Sequence, residues 1–360
     1  MLELRGVSKR VGEATHLADI SLALQPGSLN VLLGPTLSGK TSLMRLMAGL
    51  DRPTSGTIHF DDADVTGVPV QKRDVAMVYQ QFINYPAMTV YENIASPMRI
   101  ARRSKAEIET TVARVAGLLK LTPYLDRLPL QLSGGQQQRT ALARALAKNA
   151  RLVLLDEPLA NLDYKLREEL RAELPKIFAE SGAIFVYATA EPEEALLLGG
   201  NTATLKEGRI TQFGPTVDVY RRPNTLDTAR TFSDPPLNAV EVRKSGGIFL
   251  HESGFDLAVP PDFAGLADGT YAIGVRPHHL QPHAEAGMLT LPATVRVTEI
   301  TGSESFVHMT CLGEPFVMLA HGIHDYRAGD DLTVSFAPRH LLVFDMNGDA
   351  VMGDGGRMAA

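Results

Sequence analysis

The chain has 360 residues, long for one domain and comfortable for two, with enough apolar content for a sizeable core. A net charge of −6 and a pI of about 5.9 advertise no basic face, so no nucleic-acid partner is expected. The one cysteine, Cys311, cannot pair within the chain, which fits a reducing compartment, and no apolar run approaches the ~20 residues of a membrane span.

The N-terminus Met1-Leu2-Glu3-Leu4-Arg5 alternates like a strand and does not read as a signal peptide. A soluble protein is expected, one that docks on a spanning partner if it works at a membrane. Residues 2–8 and 17–24 alternate like strands, with a turn at Pro26-Gly27. Val31-Leu32-Leu33 is a short buried strand. Gly34-Pro35-Thr36-Leu37-Ser38-Gly39-Lys40-Thr41-Ser42 follows, the G-x-x-x-x-G-K-T phosphate-loop pattern, and Leu43 to Ala48 continues as helix. Gly34 and Gly39 permit turns that bring successive N–H groups onto one polyphosphate, and the helix N-terminus adds partial positive charge. Lys40 can reach the β- and γ-phosphates, and the Thr41 hydroxyl can ligate Mg²⁺. The bland alternative is a glycine-containing strand–helix turn. The motif implies only a nucleoside triphosphate.

Asp61-Asp62-Ala63-Asp64 reads as a solvated turn after the strand Thr57 to Phe60, since nothing nearby completes a metal shell. Val75 to Tyr79 is a strand leading into Gln80, and residues 90–121 are mostly helical. Ser133 is placed as the N-cap of a helix reaching Ala147. Leu152 to Leu155 is a buried strand ending in Asp156-Glu157, the Walker B pattern. Asp156 would hold Mg²⁺, and Glu157 would orient or polarise an attacking water. Leu162 to Ala179 reads as a helix whose last turns Pro175 kinks or breaks. A buried strand follows from Ala183 to Thr189, a short helix from Pro192 to Leu198, and a hairpin at 201–213 turning at Glu207-Gly208. Beyond a linker at Ser233-Asp234-Pro235-Pro236 helical periodicity fades. Short alternating segments take over (Ala293 to Ile300, Phe306 to Cys311, Phe316 to Ala320, Leu332 to Phe336), the pattern of a small all-β sandwich or barrel. The expected organisation is an α/β P-loop domain over 1–235 and a β-rich domain over 236–360.

Leu132-Ser133-Gly134-Gly135-Gln136, between the phosphate loop and the Walker B strand, resembles the signature of ABC ATPases. Gln80 falls at the Q-loop position and Leu159-Ala160-Asn161-Leu162-Asp163 at the D-loop position. Gly274-Val275-Arg276-Pro277-His278-His279-Leu280, Gly302 to Ser305 and Pro338 to Leu341 look like elements of the β-rich C-terminal domain of carbohydrate-importer ATPases. The whole chain is thus similar to the maltose-type importer ATPases, and His278 and His279 read as turn and strand rather than metal ligands. The resemblance implies a mixed sheet with a helical subdomain at about 88–150, then an OB/TOBE-like regulatory or dimerisation domain. It implies ATP and Mg²⁺, the metal being held by Thr41, Gln80 and Asp156. Two subunits would sandwich ATP head to tail, so that Ser133, Gly134, Gly135 and Gln136 act on the partner's nucleotide and Asp163 belongs to the D-loop. Two transmembrane permease subunits would dock on a surface after Gln80 that includes Phe82, Tyr85, Pro86 and Thr89 to Met98. An external solute-binding protein would take part indirectly. The location implied is peripheral, at the cytoplasmic face of a bacterial inner membrane.

Three positions depart from that family's pattern. Ala190 stands where a histidine contacts the γ-phosphate, Val11 where an aromatic stacks on adenine, and Leu37 where the phosphate loop normally has glycine. These degenerate positions lead to the expectation of a second, different ATPase partner, with this chain's own site slow. The alternatives are a homodimer and a mainly regulatory subunit. The phosphate-loop run and Val78 to Pro86 look like the ATPases of bacterial glycerol importers, so glycerol is the favoured cargo, with a sugar or glycerol 3-phosphate as the alternative.

Overall fold

The computed structural model describes residues 1–351 apart from Phe82 and Asn161, with no side-chain description for Ala179 and Glu180. The chain divides into two compact units, Met1–Thr216 and Val217–Ala360. In the first unit run β1 (Leu2–Val11), β2 (Ala14–Leu24), β3 (Leu29–Leu33), α1 (Lys40–Ala48), β4 (Ser55–Phe60), β5 (Ala63–Asp64), β6 (Val75–Val78), α2 (Val90–Ile100), α3 (Lys105–Leu118), α4 (Gly134–Ala147), β7 (Leu152–Asp156), α5 (Tyr164–Ser181), β8 (Ile184–Thr189), α6 (Pro192–Leu198), β9 (Asn201–Lys206) and β10 (Arg209–Pro215).

Two sheets result. An antiparallel one has the order β2-β1-β4-β5, and a mixed one the order β10-β9-β3-β8-β7-β6, parallel except for the edge strand β10. The interior strands β3, β7 and β8 are apolar almost throughout because parallel strands are covered on both faces. Leu4 and Ile20 of the antiparallel sheet, Met44 and Met47 of α1, and Leu154 and Val186 of the mixed sheet share one buried cluster. That packing fixes α1, and hence the phosphate loop at its N-terminus. Helices α2, α3 and α4 each start at a reciprocal capping box (Thr89/Glu92, Ser104/Glu107, Ser133/Gln136), which satisfies their first free N–H groups.

Pro175 does not break its helix. α5 continues to Ser181. Proline removes one N–H, but Leu170, Leu174 and Phe178 are buried on the same face, and the Phe178 ring stacks on Phe185 of β8 with centroids 4.1 Å apart. Side-chain burial on that face outweighs one lost hydrogen bond.

The second unit holds most of α7 (Thr216–Arg221), then α8 (Leu226–Thr231), β11 (Asn238–Ser245), β12 (Ile248–Leu250), β13 (Asp256–Ala258), β14 (Gly269–Val275), β15 (Leu289–Ile300), β16 (Glu304–Cys311), β17 (Glu314–His321), β18 (Asp331–Phe336) and β19 (Leu342–Phe344). Its sheets run β13-β12-β11-β14-β19 and β17-β16-β15-β18, all antiparallel. Inward residues alternate along β16, where Val307, Met309 and Cys311 are buried, and burial pushes the Cys311 thiol up to about 12. The division at Thr216 precedes the sequence-based boundary at 235. Ala229 of α8 and Leu237 pack with Leu342 and Phe344 of β19, which ties the intervening segment to the second unit. Among the described residues no helix is long and apolar enough to cross a membrane.

Candidate nucleotide-binding site

β3 delivers the chain into the loop 34–39. The Gly34 N–H donates to the Thr189 carbonyl at the end of β8 (3.3 Å), and a Cβ on Gly34 would stand 2.4 Å from the Leu205 carbonyl oxygen. Only glycine tolerates that approach. Gly39, at φ 106°, caps α1 with no side-chain acceptor, so the N–H groups of the first turn stay available. The Lys40 amine is buried against carbonyls, donating to Gly34 O (2.7 Å) and Pro35 O (3.0 Å). Burial lowers its pKa, with the Glu157 and Asp156 carboxylates opposing. The Ser38 hydroxyl oxygen is buried and unpartnered.

Across from this loop, β7 ends at Asp156, whose Oδ2 accepts from the Thr41 hydroxyl at 2.8 Å. Burial raises the Asp156 pKa, the Thr41 donation opposes, and the neighbouring Glu157 charge adds to the rise. The Glu157 Oε2 accepts from Gln80 Nε2 at 2.7 Å, and the Glu157 N–H donates to Ala188 O at 3.0 Å. Glu157 sits at φ 47°, a left-handed backbone that turns its side chain out of the strand. Thr36, Leu37, Gly39 to Ser42, Gln80 and Glu157 line one cavity of about 610 Å³, together with Ala14, Thr15, His16, Glu207 and Gly208.

The residues fit a polyphosphate and Mg²⁺. A buried ammonium held only by carbonyls, an orphaned buried hydroxyl and an uncapped helix N-terminus are all donors without an anion. Thr41, Asp156 and Gln80 supply the oxygen donors that a hard cation takes.

The structure brings Lys40, Thr41, Gln80, Asp156 and Glu157 together but leaves other candidate residues apart from that cavity. Ser133 and Gly134 are exposed at the start of α4, outside the cavity lining. The Ser133 hydroxyl accepts from Gln136 N (3.4 Å), while the Ser133 N–H donates to Gln136 Oε1 (3.0 Å). Asp163 caps α5, accepting from the Leu166 N–H at 3.0 Å. Val11 is exposed at the end of β1 and Ala190 just beyond β8. Leu37, by contrast, lines the cavity; it lies at φ 69° and is 95% exposed. Tyr85 lies under the Arg144 guanidinium, and its N–H donates to Asn93 Oδ1 (2.8 Å). Phe82 and Asn161 lie outside the described residues.

Sequence reasoning missed His16 and Glu207 as cavity residues. The turn at Glu207-Gly208 was legible, but its docking on the phosphate loop (Gly208 N to Ser38 O, 3.0 Å) joins residues far apart in sequence. It also missed a polar network beside Ala190, buried at Arg171, Tyr187 and Glu194 and exposed at Glu191. Arg171 donates to Glu168 (2.7 Å), Glu191 (2.8 Å) and Glu194 (3.3 Å), and the Tyr187 hydroxyl donates to Glu194 (2.9 Å). These bonds clamp the segment after β8 to α5.

An ABC transporter family model matches residues 17–160 and a TOBE domain model residues 273–344. The sn-glycerol-3-phosphate import ATP-binding protein UgpC of Cupriavidus pinatubonensis is 37% identical over 358 residues, covering 96% of this chain and 97% of that protein. The trehalose/maltose import ATP-binding protein MalK of Thermococcus litoralis is 36% identical, covering 96% and 97%, and the alpha-glucoside transport ATP-binding protein AglK of Rhizobium meliloti 36%, covering 97% and 98%. Among solved structures, the dimeric ATP-binding cassette MJ0796 in a post-hydrolysis state with ADP and Pi matches with a TM-score of 0.55 and 30% identity, over 60% of this chain and 99% of that one. A phosphate loop facing Asp156 and Glu157, followed by a β-rich second unit, agrees with these likenesses along nearly the full length. The chain belongs to the ABC transporter family, as an ATP-binding, ATP-hydrolysing subunit of the maltose-type importers in which an ABC ATPase domain precedes a TOBE domain.

Proposed function

We propose that the chain energises import of a sugar or of glycerol 3-phosphate, working beneath two permease subunits at the cytoplasmic face of the membrane, with an external binding protein delivering the solute. The names of its relatives support this cargo class over the glycerol favoured from sequence. The carrying observation is the convergence of Lys40, Thr41, Gln80 and Glu157 on one cavity, with Asp156 held behind it by the Thr41 hydroxyl.

In this reading residues 34–42 hold the phosphates, through the Lys40 amine and the N–H groups of the first turn of α1. Thr41, Asp156 and Gln80 hold Mg²⁺, which when bound neutralises charge on the transferring phosphoryl group. Glu157 orients and polarises water, and Gln80 occupies its carboxylate until nucleotide arrives. Ser133, Gly134, Gly135 and Gln136 present a helix N-terminus to the nucleotide of a second subunit, consistent with the exposure of Ser133 and Gly134 and with all four lying outside this chain's own cavity. Asp163 belongs to the same interface. Glu157→Gln lowers ATP turnover in the assembled transporter by about 10²–10⁴-fold while nucleotide still binds. Turnover within threefold of wild type would remove Glu157 from this role.

For the dimer, the similarities favour like subunits. The chain aligns along its length with single import ATP-binding proteins, and the solved cassette is described as dimeric. The different-partner expectation draws no support from them. It rests on Val11, Leu37 and Ala190, none of whose side chains can stack on adenine or donate to phosphate. Mass analysis of the complex from its native membrane separates the two: two copies of this chain support the homodimer, and a second ATPase chain at equal amount overturns it.

A further inference from the structure

The Ser38 N–H donates to the Pro35 carbonyl at 3.1 Å, closing a turn over Thr36 and Leu37. Leu37 occupies its third position at φ 69°, while Thr36 is not in the left-handed region. A positive φ at that position alone is the geometry of a type II turn, where glycine is strongly preferred. Leucine there suffers its Cβ against the backbone, and nothing offsets this, because the side chain is 95% exposed. Glu157 and Glu207 also hold positive φ and line the cavity, but Leu37 is the one of the three that lies in the phosphate loop.

A strained type II turn has a local way out. Rotating the peptide between its two central residues gives a type I turn, with negative φ at the third position. Here that rotation reverses the Thr36–Leu37 peptide. The Leu37 N–H and the Thr36 carbonyl exchange sides, so a loop built to present donors presents an acceptor instead. Leucine favours the flipped turn and glycine the unflipped one. We propose that Leu37 is a positioning residue that holds down this chain's affinity for ATP by depopulating the donor-presenting turn of the phosphate loop. The proposal rests on the reading that residues 34–42 hold the nucleotide. Apparent affinity scales with the fraction of competent conformer. The left-handed penalty for a leucine corresponds to about 5- to 30-fold in that fraction.

The test is equilibrium binding of a fluorescent, non-hydrolysable ATP analogue with Mg²⁺ to the full-length protein, wild type against Leu37→Gly, Leu37→Ala and Lys40→Ala. Leu37→Gly tightens binding about 5- to 30-fold, whereas Leu37→Ala stays within about twofold of wild type because alanine carries the same Cβ. Equal tightening in both variants assigns the effect to side-chain bulk and overturns the proposal, as does no change in either. Binding that survives Lys40→Ala unchanged overturns the site assignment itself. Loss of binding in Lys40→Ala without a gain in Leu37→Gly overturns only the role given to Leu37.

Discussion

Asp156 is held under two opposed demands. Burial beside Glu157 pushes its pKa up, which works against the charged form, yet a carboxylate there must be ionised to hold a cation. The Thr41 hydroxyl is its one donated hydrogen bond among the described residues. An Asp156→Asn variant therefore keeps or slightly raises its melting temperature without ligand and loses the shift that MgATP gives the wild type. Thermal scans with and without MgATP read both, and a large fall in the ligand-free midpoint would contradict the account. Lys40, Thr41, Asp156 and Glu157 were legible from the sequence because fixed spacing on strand-to-helix and strand-to-loop junctions dictates where their side chains go. His16 and Glu207 were not, since no local spacing marks a residue that reaches the cavity through tertiary docking. Leu37 was visible as a departure, but its physical meaning waited on a dihedral angle.

At the scale of elements, local chemistry marked starts better than interiors. Ser133 was readable as a cap because its hydroxyl can accept from a free helical N–H, and α4 begins just there, with the Gln136 side chain accepting from the Ser133 N–H in return. The hairpin at Glu207-Gly208 was readable because a glycine punctuates two strand-like runs, and both residues adopt the positive φ of a type I′ turn. Pro175 misled, because the burial of Leu170, Leu174 and Phe178 on one face offsets its local penalty. If that burial carries the last turns of α5, Phe178→Ala destabilises the first unit by about 3–5 kcal/mol. Chemical denaturation of the full chain, followed by a probe in the first unit, measures it. A loss below about 1 kcal/mol would mean that the ring stack on Phe185 holds nothing.

At the scale of the whole molecule, the second unit adds an acid sensitivity of its own through buried histidines. His279 stacks on His340 with centroids 3.7 Å apart, and His278 lies edge-on at 4.2 Å. Burial, then the neighbouring His278 and His340, then Arg276 and Arg339, push the His279 pKa down to about 3 from its ordinary 6.5. The unfolded chain therefore takes up a proton that the folded chain refuses. Stability is fullest above pH 6.5 and declines as the pH falls from there towards 3. Melting temperatures across that window, read by a probe in the second unit, should fall with acid in the wild type and fall less in His279→Phe. Parallel curves would discount the histidine stack. Two units were legible from the change in sequence texture, and the later strands from strict alternation. The division at Thr216 was not, because α8 looks like a tail of the first unit until Ala229 meets Phe344. β12 and β13 were passed over since three-residue strands give little periodic signal, whereas β11 alternates over Asn238–Ser245 and was legible but not singled out.

The turn at Glu207-Gly208 has a consequence in time as well as in space. Gly208 donates to Ser38 O and accepts from Ala18 N, so the last wall of the cavity is set by a residue made long after the loop it closes. On a ribosome adding about 5–20 residues per second, the stretch from Thr41 to Gly208 takes roughly 10–30 s. Throughout that interval the nascent chain owns every phosphate-binding residue but not the pocket. ATP can assist its folding only as a finishing step, after the hairpin has emerged and docked.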